Sequence, residues 1–184
     1  MNDFRVYDIN SAPSDARADM EKIKLNHGNI PNVYAVMAEA PVLLKGHIAL
    51  KEQFEKATLN KHDRKIVLLT LSRELGSAYD TAVHSGAAEK HNVPADVIEA
   101  IRAGTEIKDK KLESLRSFTA KLVSSRGHVT ENEVKDFLAA GYTRANVLEI
   151  VLAAGAVTLT SYTHLIAQPK LDVEFEAKVW KKAS

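Results

Sequence analysis

Apolar residues recur along this chain at a spacing of three to four, and hardly anywhere at a spacing of two. Val33, Val36, Met37 and Ala40 share one helical face, and Pro41 marks a fresh start. Leu43, Leu44, His47, Ile48, Leu50, Phe54 and Ala57 then continue as a long amphipathic helix. The next helix opens at Asn60-Lys61-His62-Asp63 and runs through Ile66, Val67, Leu68, Leu69 and Leu71 toward Gly76. Its near-continuous apolar content predicts deep burial. Gly76 breaks the period, and Ser77 begins a helix that continues through Val83, Ala87 and Ala88 to His91-Asn92.

The remaining elements follow from the same pattern. Asp15 to Lys24 predicts one short helix, ended by the turn cluster Asn26-His27-Gly28-Asn29-Ile30-Pro31. Lys111 to Ser124 predicts a helix built on Leu112, Leu115, Phe118 and Leu122. Thr130 and Glu133 have the spacing of a capping box, and Gly141 that of a C-cap. Ala95 to Ile101 resembles Ala145 to Val151 at an offset of 50, which predicts a duplicated helical unit. The prediction is an all-α protein, with an N-terminal extension over 1–30 and a helical domain over 31–184.

Composition narrows the function classes. The chain has 184 residues, with 25 Lys and Arg against 24 Asp and Glu, and the two signs interleave. That balance offers no nucleic-acid surface. The N-terminus lacks a signal-peptide core, and the longest apolar run, Ile150 to Leu159, is well short of the ~20 residues that span a bilayer. A cytoplasmic protein without membrane or nucleic-acid partners is the expectation. There is no cysteine, so disulfide scaffolds and thiolate metal sites are excluded. Histidine and carboxylate spacings offer no metal site, and no cofactor loop is present.

The candidate chemistry sits in Gly76-Ser77-Ala78-Tyr79-Asp80-Thr81-Ala82-Val83-His84. Asp80 and His84 lie one helical turn apart, where a carboxylate can fix an imidazole's tautomer and raise its basicity. Two readings are open for this segment. The capping-box spacing favours Ser77 and Asp80 as a helix cap, and the aromatic body of Tyr79 favours a packing contact over a substrate contact. His47 lies on an apolar helical face and reads as a core histidine satisfied by hydrogen bonds. His27, His62, His91 and His128 fall in turns or caps and read as solvated.

That stretch resembles the active-site helix of the AhpD-like / carboxymuconolactone decarboxylase family. The resemblance extends through Ile30-Pro31-Asn32, Gly141-Tyr142-Thr143, Val147-Leu148-Glu149, Tyr162 to Ala167, Leu171-Asp172, Phe175 and Trp180. It implies the family's helical fold and a homo-oligomer, trimeric or hexameric. Redox members carry two cysteines where this chain has Ser77 and Asp80, and a glutamate where it has Lys65. Neither replacement can cycle through a disulfide, so the family's peroxidase activity is not expected. Non-redox relatives imply instead a cofactor-free acid/base enzyme on a small organic acid or lactone. In that reading His84 and Asp80 are catalytic, with Ser77, Tyr79, Tyr162 and His164 around the substrate. The alternative is a non-catalytic oligomer that binds a ligand or serves as a scaffold.

Overall fold

A computed structural model describes residues 3–181. The helices are α1 (Ser14–His27), α2 (Asn32–Met37), α3 (Pro41–Phe54), α4 (Lys61–Glu74) and α5 (Ala78–Lys90). They continue as α6 (Ala95–Ala103), α7 (Lys110–Ser124), α8 (Glu131–Ala139) and α9 (Arg144–Ala167), with a closing 3-10 turn over Val173–Lys178. No strand occurs among the described residues. The expected all-α architecture is what the chain adopts.

Local chemistry sets the boundaries. Asn60, Asp109, Thr130 and Thr143 each accept a backbone N–H in the first turn of their helix. Thr130 with Glu133 completes the expected capping box, and Thr143 with Asn146 forms a second. Gly28 closes α1 at φ 83°, in the left-handed region that a Cβ disfavours. Ala95 opens α6, of nine residues, whereas Ala145 is the second residue of α9, of 24, so the two segments sit in helices of unequal length.

Helix α4 is the hub, flanked by α5, α6, α7 and α9. One cluster of buried side chains around it holds Ile66, Leu69, Leu71, Ile98, Leu115 and Ile150. Phe118, Phe137 and Tyr142 stack along its edge with centroids 4.4 and 4.6 Å apart. A second cluster joins Met20 and Ile23 of α1 to Tyr34 and Met37 of α2, Leu44 of α3 and Tyr79 of α5. At ~1.5–3 kcal/mol for each large side chain buried, both clusters fix the helices that frame the site.

Helix α9 crosses this second half of the molecule against α2, α3, α4 and α5. It is long and apolar enough to cross a membrane by length and composition, and a third of its most apolar window is buried. Its buried polar residues Asn146, Thr160 and Ser161 face protein partners within the fold.

Candidate functional site

The turn between α4 and α5 places the first candidate residues. Gly76 takes φ 73°, and Ser77 follows as the N-cap of α5. The fully buried Ser77 hydroxyl accepts the Asp80 N–H at 3.1 Å. Its own amide donates to the Ser72 carbonyl, also at 3.1 Å, so the return half of a capping box has no donor to meet. The Asp80 carboxylate is therefore free of capping. It instead accepts a hydrogen bond from the Ser161 hydroxyl of α9 at 2.7 Å.

Asp80 is only 3% exposed. Burial pushes its carboxyl up to about 6, against hydrogen bonds from Ser161, Thr160 and Ser77 that favour the anion. His84 lies one turn further along α5 and is partly buried. Among the described residues no hydrogen bond joins its imidazole to Asp80 or to another side chain.

His84 is pushed down to about 3, first by burial and then by the cationic field of Lys65 and Lys51, with His47 adding to it. Lys65 matters here because it stands where the resemblance implies a glutamate. A carboxylate there would favour an imidazolium, whereas this ammonium, 3.3 Å from Glu55, opposes it. His84 is thus a neutral acceptor near pH 7, and Asp80 is the group whose protonation changes near neutrality.

Ser77 also contacts His164. The hydroxyl lies within hydrogen-bond distance of the His164 Nδ1, at 3.2 Å. The Tyr79 ring lies 5.6 Å from the same imidazole. Its hydroxyl donates to the Asp172 carboxylate and accepts the Val33 N–H at 3.3 Å. Asp172 in turn accepts the Asn32 N–H at 2.9 Å, so Tyr79 ties α5, the start of α2 and the C-terminal segment together. Ser77, Tyr79, Asp80 and His164 are gathered at one helix start. Tyr162 is not among them: it stands 54% exposed on the outer side of α9.

A cleft of ≈ 320 Å³ opens beside α1, α2 and α3. Lys51, Tyr34 and His27 line its inner wall, with Lys22, Glu52 and Glu55 among its other walls. Behind it, the buried His47 donates from Nδ1 to the Ala156 carbonyl at 3.1 Å. Its Nε2 then accepts from the Tyr34 hydroxyl at 3.0 Å. Burial holds His47 down at about 4, as suits the satisfied core histidine expected there. Lys51 donates to Tyr34 at 3.5 Å and to His27 Nε2 at 3.2 Å. The charges of Lys51 and Asp80 are felt at His84 and Tyr34 respectively, which connects the cleft to the start of α5.

Sequence reasoning did not single out Tyr34, Lys51 or the role of His27. One signal was present: His47 and Lys51 are four apart on α3 and share a face. Tyr34 and His27 meet them only through helix packing.

No sequence-family model and no curated protein matches this chain. Solved structures do. A peroxidase-related protein with an alkylhydroperoxidase AhpD core from Ralstonia eutropha JMP134 is similar at TM-score 0.81 and 17% identity, covering 97% of each chain. A peroxidase-related protein from Silicibacter sp. TM1040 is similar at TM-score 0.78 and 16% identity, covering 94% of this chain and 92% of its own. The debrominase Bmp8, solved with 2,3,4-tribromopyrrole, is similar at TM-score 0.68 and 15% identity, covering 88% and 91%. The fold is AhpD-like. This chain is a cysteine-free example of it.

Proposed function

We propose that this protein is a cofactor-free acid/base enzyme acting on a small organic acid or lactone of the kind carboxymuconolactone decarboxylases handle. Asp80 exchanges the proton, and neutral His84 accepts a hydrogen bond from the substrate. The observation that carries this reading is the combination at α5: a buried carboxyl poised at about 6, one turn from an imidazole that has no hydrogen-bond partner among the described residues. A general acid or base works best with its pKa near the operating pH, and Asp80 meets that condition. Lys51 and Lys65 supply the positive field that draws an organic anion inward. A thiol peroxidase cycle has no cysteine to run on.

The test begins with a panel of small carboxylic acids and lactones, scored by thermal shift and then by turnover. A ligand at 100 times its dissociation constant adds ~2.7 kcal/mol to stability, which such an assay detects. His84→Gln is expected to lower turnover of the identified substrate at least tenfold. Turnover within a few-fold of the parent protein would remove His84 from the mechanism.

A second reading, an oligomeric binding or scaffold member, has its own support. The outer face of α9 exposes Leu148, Val151, Tyr162 and Leu165 at spacings of three to four or their multiples, with Gly155 at its centre. An apolar stripe of this length favours burial against another copy, in keeping with a trimer or hexamer. Tyr162 belongs to this stripe in either reading.

A further inference from the structure

We propose that Lys51 is a nucleophilic amine that forms an imine with a small carbonyl-bearing acid, such as a 2-oxo acid, bound in the 320 Å³ cleft. The inference rests on the organic-acid reading above and narrows it to a carbonyl compound.

The geometry is directional. The Ala156 carbonyl can only accept, so the Nδ1 of His47 carries the proton and Nε2 accepts from Tyr34. The phenolic proton is thereby engaged, and the Tyr34 oxygen faces Lys51 only as an acceptor. His27 likewise offers Nε2 as an acceptor, since an ammonium has no lone pair to give it. A neutral Lys51 amine has two N–H groups, and these two acceptors occupy both. Its lone pair is left without a protein partner, on a side chain that lines open space.

The electrostatics agree. Burial of the stem holds the Lys51 ammonium below its usual range, with Lys65 adding to the effect and Glu55 opposing it. His27 is also held down, by burial and by the Lys51 and Lys90 charges, so its ring is unprotonated and its Nε2 can accept a Lys51 N–H. Lys22 and Lys56 line the same cleft and can receive the carboxylate of the ligand.

The step balances without an external redox partner. Lys51 passes one proton to His27, and its nitrogen attacks the carbonyl carbon to give a carbinolamine. The carbinolamine oxygen takes a proton from the nitrogen and the proton from His27, and leaves as water. An ammonium and a ketone thus become a protonated imine and one water, with the charge conserved.

The experiment incubates the full chain with pyruvate and cyanoborohydride at pH 7 and follows each lysine by peptide mass spectrometry. Lys22 and Lys56 are internal controls, because they share the cleft and hence the local ligand concentration. Lys51 is expected to be alkylated at least tenfold faster than either, and His27→Gln to slow Lys51 alone. Labelling of Lys51 no faster than Lys22 and Lys56 overturns the proposal, as does unchanged Lys51 labelling in His27→Gln. Repeating the labelling in His84→Gln separates the two readings. Fast Lys51 labelling with unimpaired turnover in that variant leaves the amine and refutes the proton-transfer role of His84. Lost turnover with slow Lys51 labelling does the reverse.

Discussion

Replacing Asp80 with Asn tests the electrostatics of the site through stability alone. Burial raises the carboxyl of Asp80 from 3.8 to about 6, so the folded protein holds its proton across a window in which the unfolded chain releases it. The sign follows from linkage: a group raised in the folded state contributes stability that is fully present below pH 3.8 and is lost as pH rises through about 6. At ~1.4 kcal/mol for each tenfold change in proton affinity, ionised Asp80 costs the fold about 3 kcal/mol at pH 7 and well under 1 kcal/mol at pH 4. Asn keeps an acceptor for Ser161 and never ionises. Whatever the amide does to packing, it does equally at both pH values. The variant is therefore expected to gain about 2 kcal/mol on the parent protein between pH 4 and pH 7. Urea unfolding at the two pH values, followed by circular dichroism, reads the difference directly. A stability difference that does not change with pH, or one that moves against the variant as pH rises, would refute the reasoning. Either result would mean that Ser161, Thr160 and Ser77 hold the carboxylate charged at ordinary acidity.

Two other variants probe the neighbouring structure. Tyr34→Phe leaves the buried Nε2 of His47 without a donor, and is expected to cost ~1–3 kcal/mol in urea unfolding at pH 7; a cost near zero would show that water replaces the phenol. If copies of this chain assemble through the exposed α9 stripe, as the second reading proposes, Val151→Glu is expected to lower the particle mass while leaving the helical circular dichroism of the chain intact. Light scattering that gives the same mass for the variant and the parent protein would take the stripe out of the assembly.

The helices were legible because their causes are local. Caps at Asn60, Thr130 and Ser77 and breaks at Gly28 and Gly76 act over three or four residues, so their spacing in the sequence carries the information. The continuous apolar content of Ile66 to Leu71 likewise announced the hub helix. The site was only half legible. The Ser-x-x-Asp spacing marked both a cap and a carboxylate. The outcome was settled by the Ser72 carbonyl taking the Ser77 amide and by Ser161, 81 residues away, taking the Asp80 side chain. The helical spacing of Asp80 and His84 allowed contact without compelling it. Lys65 was visible as a departure from the family pattern, yet its effect on His84 depends on a packed distance. Tyr34, His27 and Lys51 meet across three helices, so no window of sequence contains them together.

The proposed function requires proton exchange at Asp80 and an uncharged imidazole at 84 that receives the ligand. Nitrogen-15 chemical shifts of histidine-labelled protein test that claim most directly. The account predicts that His84 stays neutral from pH 8 down to at least pH 4.5 and that its ring nitrogens shift when a small organic acid binds. A His84 that titrates near 6.5, or nitrogens that stay unmoved by an acid bound to the protein, would contradict it.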